Sequence, residues 1–305
     1  MQTEVIIVGG SFAGLSAALM LARARRDVVV VDGGLPRNRW ASHAHGVLGL
    51  DGIAGAEMLK TARQQLLVYP SVRWLNGEAV DAGSGPDGIQ VRLADDTLLT
   101  ARKLLLATGI RDQLPDIPGL SERWGSTVLH CPYCHGYEIG GGAIGVLGGP
   151  EGTAEKAALL ADWGDITFFS QGMAISDDAS ARLAARSVAV ETTPVVSIEG
   201  EHAQWMEVVL ADGRRVAQRA LFAPAQQRMA SPLVEQLGCR LTASPLGELI
   251  EVDAQKRTSV ADVYAAGDAT VVGNITLAMA EGVRAGAGIH FALVEEDGQP
   301  AATLI

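Results

Sequence analysis

Short runs of consecutive apolar residues, separated by segments of helical apolar periodicity, dominate the first part of the chain. Residues 5–8 form one such run, residues 15–24 show helical periodicity, and residues 28–31 form a second run. Strands buried on both faces of a parallel sheet read as continuous apolar runs, and a helix commonly connects two of them. The pattern therefore predicts a βαβ unit at the start of the chain.

The same order of elements recurs near the middle of the chain. Residues 143–147 and 166–170 are apolar runs, and residues 153–161 between them have helical periodicity. Repetition of one pattern within a chain indicates a repeated supersecondary unit. The sequence thus predicts two βαβ repeats, each with a glycine-rich turn after its first strand.

Other apolar patterns predict further strands and helices around the two repeats. We predict a helix at 54–67, strands at 72–75, 78–82, 89–93, 103–109, 208–210, 214–217, 221–224 and 263–268, and a final helix at 277–293. The turn at 83–88 makes a hairpin, and Pro224 places its strand at a sheet edge or ends it. Pro115, Pro118 and Gly119 predict a linker before the second repeat.

Composition and charge narrow the class of protein. The chain has 305 residues, 48% of them hydrophobic, and a formal net charge of −11. This length favours two domains, and the lack of a basic block argues against nucleic acid as a partner. No run of 18 apolar residues and no charged leader occur, so we expect no membrane span, no secretory signal and a cytoplasmic location.

The turn after the first predicted strand has the spacing of a dinucleotide-binding motif. It reads Gly9-Gly10-Ser11-Phe12-Ala13-Gly14, and Asp32 ends the second strand, 23 residues after Gly9. Glycines in this motif allow a tight turn and close approach of a pyrophosphate, and the acid accepts a ribose hydroxyl. Ser11 replaces the second glycine and is small enough to preserve the site. The alternative is a βαβ unit that binds no nucleotide.

A polar loop at residues 33–52 is too long to be a simple connection between elements. We interpret it as a segment that packs over a cofactor ring, with Gly33, Asn38 and His45 as candidate contacts. Solvated loop histidines at positions 43 and 45 are the alternative, and no partner cluster supports a metal site.

The turn of the second repeat has lost the features that bind a nucleotide. It reads Gly148-Gly149-Pro150-Glu151-Gly152-Thr153, so Pro150 takes the place of a glycine and removes an N–H donor. After the following strand, Ser170-Gln171-Gly172 offers neither an acid for a ribose nor an arginine for a 2′-phosphate. We therefore expect no NADPH at this repeat.

A pair of cysteines lies between the two repeats. The segment reads Cys131-Pro132-Tyr133-Cys134 and is flanked by His130 and His135. Two thiols at this spacing can form a disulfide, and a helix that begins there would lower the pKa of the Cys131 thiol. A structural zinc site needs two further ligands, and Cys239 is over 100 residues away. We predict a redox-active dithiol, with a metal site or a plain structural bridge as alternatives.

These separated motifs together resemble the low-molecular-weight thioredoxin reductase family. The resemblance covers residues 5–293 and is carried by the glycine motif, Ala107-Thr108-Gly109, the Cys-x-x-Cys and Ala265-Ala266-Gly267-Asp268. It implies an α/β fold of two Rossmann-like, three-layer nucleotide-binding-type domains, the second inserted in the first. The implied boundaries are 1–112 and 220–305 for an FAD-binding domain and 113–219 for the inserted domain with the dithiol. A homodimer is usual in the family.

The resemblance also implies which residues bind FAD. They are the turn at residues 9–14, Asp32, Gly33, Asn38, His45, Thr108, Gly109, Gly267, Asp268, and the start of the last helix at Ile275 and Thr276. A helix N-terminus favours negative charge, so the last helix can face an electron-rich ring oxygen of the flavin.

Within the family, the altered second repeat resembles the dithiol oxidase branch that closes disulfides in gliotoxin- and holomycin-type metabolites. His135 stands where the reductases have an acid after the second cysteine. The branch implies that an external thiolate attacks Cys131, that Cys134 leaves and later passes electrons to FAD, and that dioxygen reoxidises the flavin. His135 or His130 is the candidate base, with a surface or capping role as the alternative for each. The implied partners are a small-molecule dithiol or disulfide and dioxygen.

Two other functions stay open from the sequence. One is a disulfide reductase fed by NADPH through an unusual site, or by ferredoxin or a second flavin. The other is a non-catalytic flavin redox sensor, although the sequence contains no recognisable partner-binding or DNA-binding module.

Overall fold

The computed structural model describes residues 1–85, 87–149, 152–200 and 205–298. Pro150 and Glu151 of the second glycine-rich turn, and Pro86 within the predicted hairpin turn at 83–88, lie outside the described residues. The structure confirms the predicted α/β class and both βαβ repeats, and it adds elements that the apolar pattern did not indicate.

The elements of the chain follow in three groups. Before the linker they are β1 (Gln2–Val8), α1 (Phe12–Arg23), β2 (Val28–Asp32), α2 (Gly55–Leu66), β3 (Val72–Asn76), β4 (Ala79–Gly85), β5 (Gly88–Leu93), β6 (Leu98–Leu106) and β7 (Ile110–Gln113). The middle group is β8 (Val128–Leu129), α3 (Pro132–Ile139), β9 (Ala143–Leu147), α4 (Thr153–Leu160), β10 (Asp165–Phe169), α5 (Asp177–Ala185), β11 (Ala189–Glu191), β12 (Val195–Glu199), β13 (Met206–Leu210), β14 (Arg215–Gln218) and β15 (Ala220–Phe222). The last group is β16 (Gln226–Met229), α6 (Leu233–Gln236), β17 (Leu241–Ser244), β18 (Gly247–Ile250), β19 (Val263–Ala265) and α7 (Ile275–Asp297). Short 3₁₀ helices cover Arg37–Trp40, Ser121–Arg123 and Gly267–Ala269.

The largest sheet is built from strands of the first and last groups. Its order is β3-β2-β1-β6-β5-β4, and β19 also pairs with β6. The β1, β2, β3, β6 and β19 pairings are parallel, and β4, β5 and the first half of β6 form an antiparallel meander. Residues 5–8 of β1 and 28–31 of β2 are buried on both faces of the sheet, which explains why these runs are continuously apolar.

Helices α1 and α7 pack closely on one face of this sheet. A Cβ added to Gly282 would lie 2.0 Å from the carbonyl oxygen of Ala13, and one added to Gly286 would lie 2.8 Å from that of Ala17. By length and composition α7 could cross a membrane, although it contains no run of 18 consecutive apolar residues. Its buried residues, including Ile289, instead contribute to the core beneath the first repeat.

The second repeat forms a separate parallel sheet of order β11-β10-β9-β15-β8. Strand β15 lies between β9 and β8, so it is an interior strand, and Pro224 follows its end. The edge position considered for this strand is therefore wrong, because Pro224 is outside the ladder. The structure places Ala220–Phe222 in the sheet of the inserted region, a little beyond the boundary at 219 that the resemblance implied.

The chain segment that leads into the inserted region and the one that leads back out of it lie side by side. On the way in, β7 pairs in antiparallel register with β16, which begins the return. Strands β17 and β18 complete this four-stranded sheet. Both connections therefore pass through one small sheet.

Candidate active site at the dithiol and the first glycine-rich turn

The first glycine-rich turn is packed so tightly that side chains are excluded from it. Gly9 has φ of +109°, and a Cβ there would lie 2.2 Å from the carbonyl oxygen of Ala107. A Cβ on Gly14 would lie 1.8 Å from the carbonyl oxygen of Gly9. These contacts hold the end of β1 against β6 and require glycine at both positions.

Asp32 organises the backbone at the end of β2. Its Oδ1 accepts hydrogen bonds from the amide of Gly10 and from the amide of Gly34, each at 3.2 Å. Ser11 occupies the N-cap of α1 but makes no capping hydrogen bond with its side chain, and the first turn of α1 contains no acid. An anion can therefore approach this helix N-terminus, with the Asp32 carboxylate nearby for a ribose.

Two further predicted contacts border the same turn. Gly267 has φ of +77°, and a Cβ on it would lie 2.9 Å from the Cβ of Ala13. The Oγ1 of Thr108 is buried and has no hydrogen-bond partner among the described residues, and Gly109 follows it with φ of +67°. A buried hydroxyl without a partner needs one, and a bound dinucleotide would provide it.

An ion-pair cluster that the sequence did not reveal surrounds Asp268. Arg37 donates from Nη1 to Asp268 at 2.8 Å and from Nε and Nη2 to Asp112 at 2.7 and 2.6 Å. Burial raises the pKa of the Asp268 carboxyl, although the adjacent guanidinium acts in the opposite direction. Arg37 thus ties the loop after β2 to β7 and to the last group of elements.

The predicted loop contacts gather at the start of α7. Phe12 packs with Ala44 and Val47 of the loop and with Ile275. Asn274 caps α7 by accepting a hydrogen bond from the amide of Leu277 at 2.9 Å. Thr276 lies in the first turn of α7 and Asn38 lies against Gly55, whereas Gly33 lies beside Gly77 directly after β2.

The structure joins Cys131 and Cys134 in a disulfide at the start of α3. Their Cα atoms are 5.3 Å apart, within the usual range for this bond. Cys131 is the N-cap residue and Pro132 is the first residue of the helix, so the backbone amides of the first turn point toward the disulfide. Cys239 is a buried free thiol whose pKa is raised by burial.

The two histidines that flank the disulfide have different environments. Burial, together with the positive charges of Lys156 and Arg37, lowers the pKa of His130 to about 4, and its Nδ1 has no partner among the described residues. Burial also lowers the pKa of His135, whereas Glu138 acts to raise it. At neutral pH the ring of His130 is neutral and a very weak base.

The loop after β2 reaches the dithiol helix through a histidine. The Nδ1 of His45 lies 3.4 Å from Oε1 of Glu138 and 3.7 Å from Oδ2 of Asp51. The sequence predicts that His45 contacts the cofactor. In the structure its ring lies where the loop after β2 meets α3. His45 therefore links the loop after β2 to the helix that carries the dithiol.

The second glycine-rich turn is occupied by the protein itself. The amide of Gly149 donates to Oγ1 of Thr153 at 3.3 Å, and a Cβ on Gly149 would lie 2.6 Å from the ring of Pro224. Ser170 is fully buried, and Oε1 of Gln171 accepts a hydrogen bond from the amide of Val195 at 2.6 Å. The described groups that would hold a pyrophosphate and a ribose are therefore turned inward.

A dinucleotide site next to a redox disulfide, on a fold of two Rossmann-like units, defines a flavoprotein disulfide oxidoreductase that binds FAD. The chain belongs to the pyridine nucleotide-disulphide oxidoreductase family, whose model matches residues 3–282. The tight turn, the Asp32 carboxylate and the unpartnered Thr108 hydroxyl fit FAD at the first repeat.

Known proteins of high similarity agree with this assignment. The crystal structure of the oxidoreductase from Agrobacterium tumefaciens is 44% identical with a TM-score of 0.92, covering 97% of this chain and 99% of that one. The crystal structure of HlmI is 37% identical with a TM-score of 0.90, covering 97% and 94%. Thioredoxin reductase tcpT of Claviceps purpurea is 34% identical over 277 residues, which are 87% of this chain and 86% of that protein. The resemblance to thioredoxin reductase-like flavoproteins is confirmed.

Proposed function

We propose that the protein is an FAD-dependent dithiol oxidase that converts a small-molecule dithiol to a disulfide through Cys131 and Cys134, with dioxygen as the final acceptor. The observation that carries the proposal is the described part of the second glycine-rich turn. The amide of Gly149 already donates to Thr153, and the ring of Pro224 lies where a side chain on Gly149 would be, so this amide is not free for a pyridine nucleotide. Without a pyridine nucleotide there, electrons would enter from the thiol side.

The neighbouring polar positions support the same conclusion. Ser170 and Gln171 follow β10, where a bound NADPH would meet an acid or an arginine, and neither residue is one. The side chain of Gln171 accepts a hydrogen bond from the amide of Val195, and the buried hydroxyl of Ser170 has no partner among the described residues. The high similarity to HlmI, at 37% identity, and the resemblance of the Cys-Pro-Tyr-Cys-His segment to the dithiol oxidase branch point in the same direction.

The exchange steps balance on the protein's own cysteines. A substrate thiolate bonds to the Sγ of Cys131, the Cys131–Cys134 bond breaks, and Cys134 leaves as the thiolate. The second substrate thiolate then attacks the first substrate sulfur, so a substrate disulfide departs and Cys131 becomes a thiolate. FAD bound at the first repeat would supply the two-electron chemistry that returns Cys131 and Cys134 to the disulfide and reduces dioxygen to hydrogen peroxide.

His135 is the proposed base for the substrate thiols. It follows Cys134 directly, and a neutral imidazole can take one proton from a thiol and release it later. His130 is a poorer candidate because its pKa of about 4 leaves little driving force for accepting a proton at neutral pH. Glu138, one helical turn from His135, acts to raise the pKa of that base.

Disulfide reduction is the second candidate function. It is favoured by the name of the relative from Claviceps purpurea, a thioredoxin reductase, and by the pyridine nucleotide in the name of the family. In that case the electrons would come from NADPH bound in another manner, or from ferredoxin or a second flavin.

Anaerobic stopped-flow absorbance separates the two functions. The FAD-loaded protein is mixed with dithiothreitol in one run and with NADPH in the other. We expect dithiothreitol alone to bleach the flavin band, and air to restore it with release of about one hydrogen peroxide per flavin. Rapid bleaching by NADPH would instead overturn the proposal. Cys131→Ser is the control, because it must abolish bleaching by dithiothreitol.

A further inference from the structure

Lys156 lies in the first turns of α4 and points toward the dithiol segment. Its Nζ donates a hydrogen bond to the carbonyl oxygen of His130 at 2.5 Å and lies 5.8 Å from the centre of the Phe222 ring. No carboxylate pairs with it among the residues that the structure describes. Burial lowers the pKa of Lys156 to about 8.

The two deeply buried lysines have a different environment. Lys103 pairs with two carboxylates, and Lys256 pairs with Glu281. A buried charge is ordinarily compensated in this way, because removing an ammonium from water without a counter-ion destabilises the folded protein. Lys156 has only neutral partners, so its presence is better explained by an effect on the site than by a contribution to stability.

The group closest to Lys156 is part of the redox site. The carbonyl that accepts its hydrogen bond belongs to His130, and that carbonyl carbon is bonded to the amide nitrogen of Cys131. Cys131 is also the N-cap residue of α3, where the helix dipole already favours negative charge. An ammonium at the peptide group before Cys131 and a helix N-terminus at Cys131 therefore adjoin the same cysteine.

We propose that Lys156 is a positioning residue that stabilises the thiolate of Cys131 and thereby makes the Cys131–Cys134 disulfide a stronger oxidant. When two substrate thiolates reduce the disulfide, negative charge develops on the cysteines, and a nearby positive charge favours that reduced form. Helix α4, which follows the second glycine-rich turn, thus contributes a side chain to the dithiol site. The inference rests on the redox role of the dithiol in the proposed function, but not on dioxygen as the acceptor.

The test measures the thiol itself. All variants are made in a Cys134→Ser background, so that Cys131 is a free thiol. The FAD-loaded protein is alkylated with iodoacetamide at several pH values from about 5 to about 10, which spans the pKa values of perturbed and ordinary thiols. Mass spectrometry follows alkylation of the peptide that contains Cys131. Lys156→Gln keeps a donor for the His130 carbonyl but removes the charge, Lys156→Met removes both, and Lys156→Arg keeps the charge. Lys60→Gln, at an exposed position of α2, is the matched control, and Cys239 is an internal reference.

We expect Lys156→Gln and Lys156→Met to raise the pKa of Cys131 by about one unit, while Lys156→Arg and Lys60→Gln leave it unchanged. With both cysteines present, equilibration with glutathione should then show that the disulfide is favoured over the dithiol about tenfold more in the neutral Lys156 variants than in the parent. This corresponds to a reduction potential lower by about 30 mV. An unchanged pKa in Lys156→Gln would show that the charge has no role. Failure of both neutral variants to fold would also overturn the proposal, because it would make Lys156 a structural residue.

The outcome is separable from that of the proposed function. A shifted thiol pKa in a protein that releases no hydrogen peroxide would contradict the oxidase alone. An unshifted thiol pKa in a protein that oxidises dithiothreitol would contradict only the role of Lys156.

Discussion

The Nδ1 of His45 lies 3.4 Å from Oε1 of Glu138, and this contact joins the loop after β2 to the helix that begins at the disulfide. The loop packs through Ala44 and Val47 on Phe12 at the first glycine-rich turn. Through this contact the cofactor region and the dithiol share one polar cluster, which includes His135. The proposed acid–base role of His135 can therefore be tested by substituting its charged neighbour Glu138.

Glu138→Gln is expected to shift the acid limb of the rate profile to lower pH. Glu138 acts to raise the pKa of His135, so its neutralisation lowers that pKa further, and the base stays deprotonated to lower pH. We expect a displacement of roughly half a pH unit in kcat/KM for dithiothreitol, because Glu138 is partly exposed. Glu155→Gln, which removes an exposed partner of Arg182, is the control. Identical profiles for Glu138→Gln and the parent would exclude His135 as the titrating base.

Arg37→Met should weaken both the fold and the retention of FAD. The substitution leaves Asp112 and Asp268 without their shared guanidinium at a largely buried position. We expect a loss of about 2–3 kcal/mol in the free energy of unfolding, discounted from the value for fully buried pairs because Arg37 keeps some exposure. Urea denaturation and the flavin-to-protein absorbance ratio after gel filtration measure the two effects.

The comparison for Arg37 is Arg215→Met. Arg215 pairs with Glu199 and Glu207 at an exposed site of the inserted region, where solvent screens ion pairs and a much smaller loss of stability is expected. Equal losses in the two variants would show that the Arg37 cluster has no special role.

Gly282→Ala should separate α7 from α1. The added Cβ would lie 2.0 Å from the carbonyl oxygen of Ala13, so one helix must move. We expect a loss of about 1–3 kcal/mol in the free energy of unfolding and weaker FAD binding, because Ala13 belongs to the glycine-rich turn. Gly83→Ala, where an added Cβ meets nothing within 4 Å, is the matched control for a glycine-to-alanine change. Urea midpoints that fall equally in both variants would argue against close helix packing as the cause.

The parent protein should gain stability between about pH 8 and pH 10.5 relative to Lys156→Met. The pKa of Lys156 is lowered by burial from 10.5 to about 8, so the unfolded chain binds more protons than the folded one within this window. Stability therefore rises with pH there, and the destabilisation, at most about 3 kcal/mol, is fully present below pH 8. Urea unfolding of both proteins at several pH values measures the difference, which must shrink as the pH rises. A difference independent of pH would mean that the ammonium is not destabilised by burial.

The elements that the sequence predicted correctly are those whose signal lies in residues close together along the chain. Continuous apolar runs gave β1, β2, β9 and β10, because buried parallel strands need apolar residues on both faces. The Cys-x-x-Cys indicated its own disulfide, since both partners lie within one helical turn. The short antiparallel strands β7, β17 and β18 were missed, because each has few apolar residues and is defined by its partner strand.

By itself, the sequence determined the repeats, the glycine-rich turn, the dithiol and the altered second turn, since each is encoded by neighbouring residues. Only the tertiary structure decided which distant charges meet: Arg37 with Asp268, His45 with Glu138, and Lys156 with the carbonyl before Cys131. Ion pairs and hydrogen bonds between separated residues have no periodic signal along the chain. They form only after packing brings the two elements together, so residues on these contacts could not be distinguished from solvated surface charges beforehand.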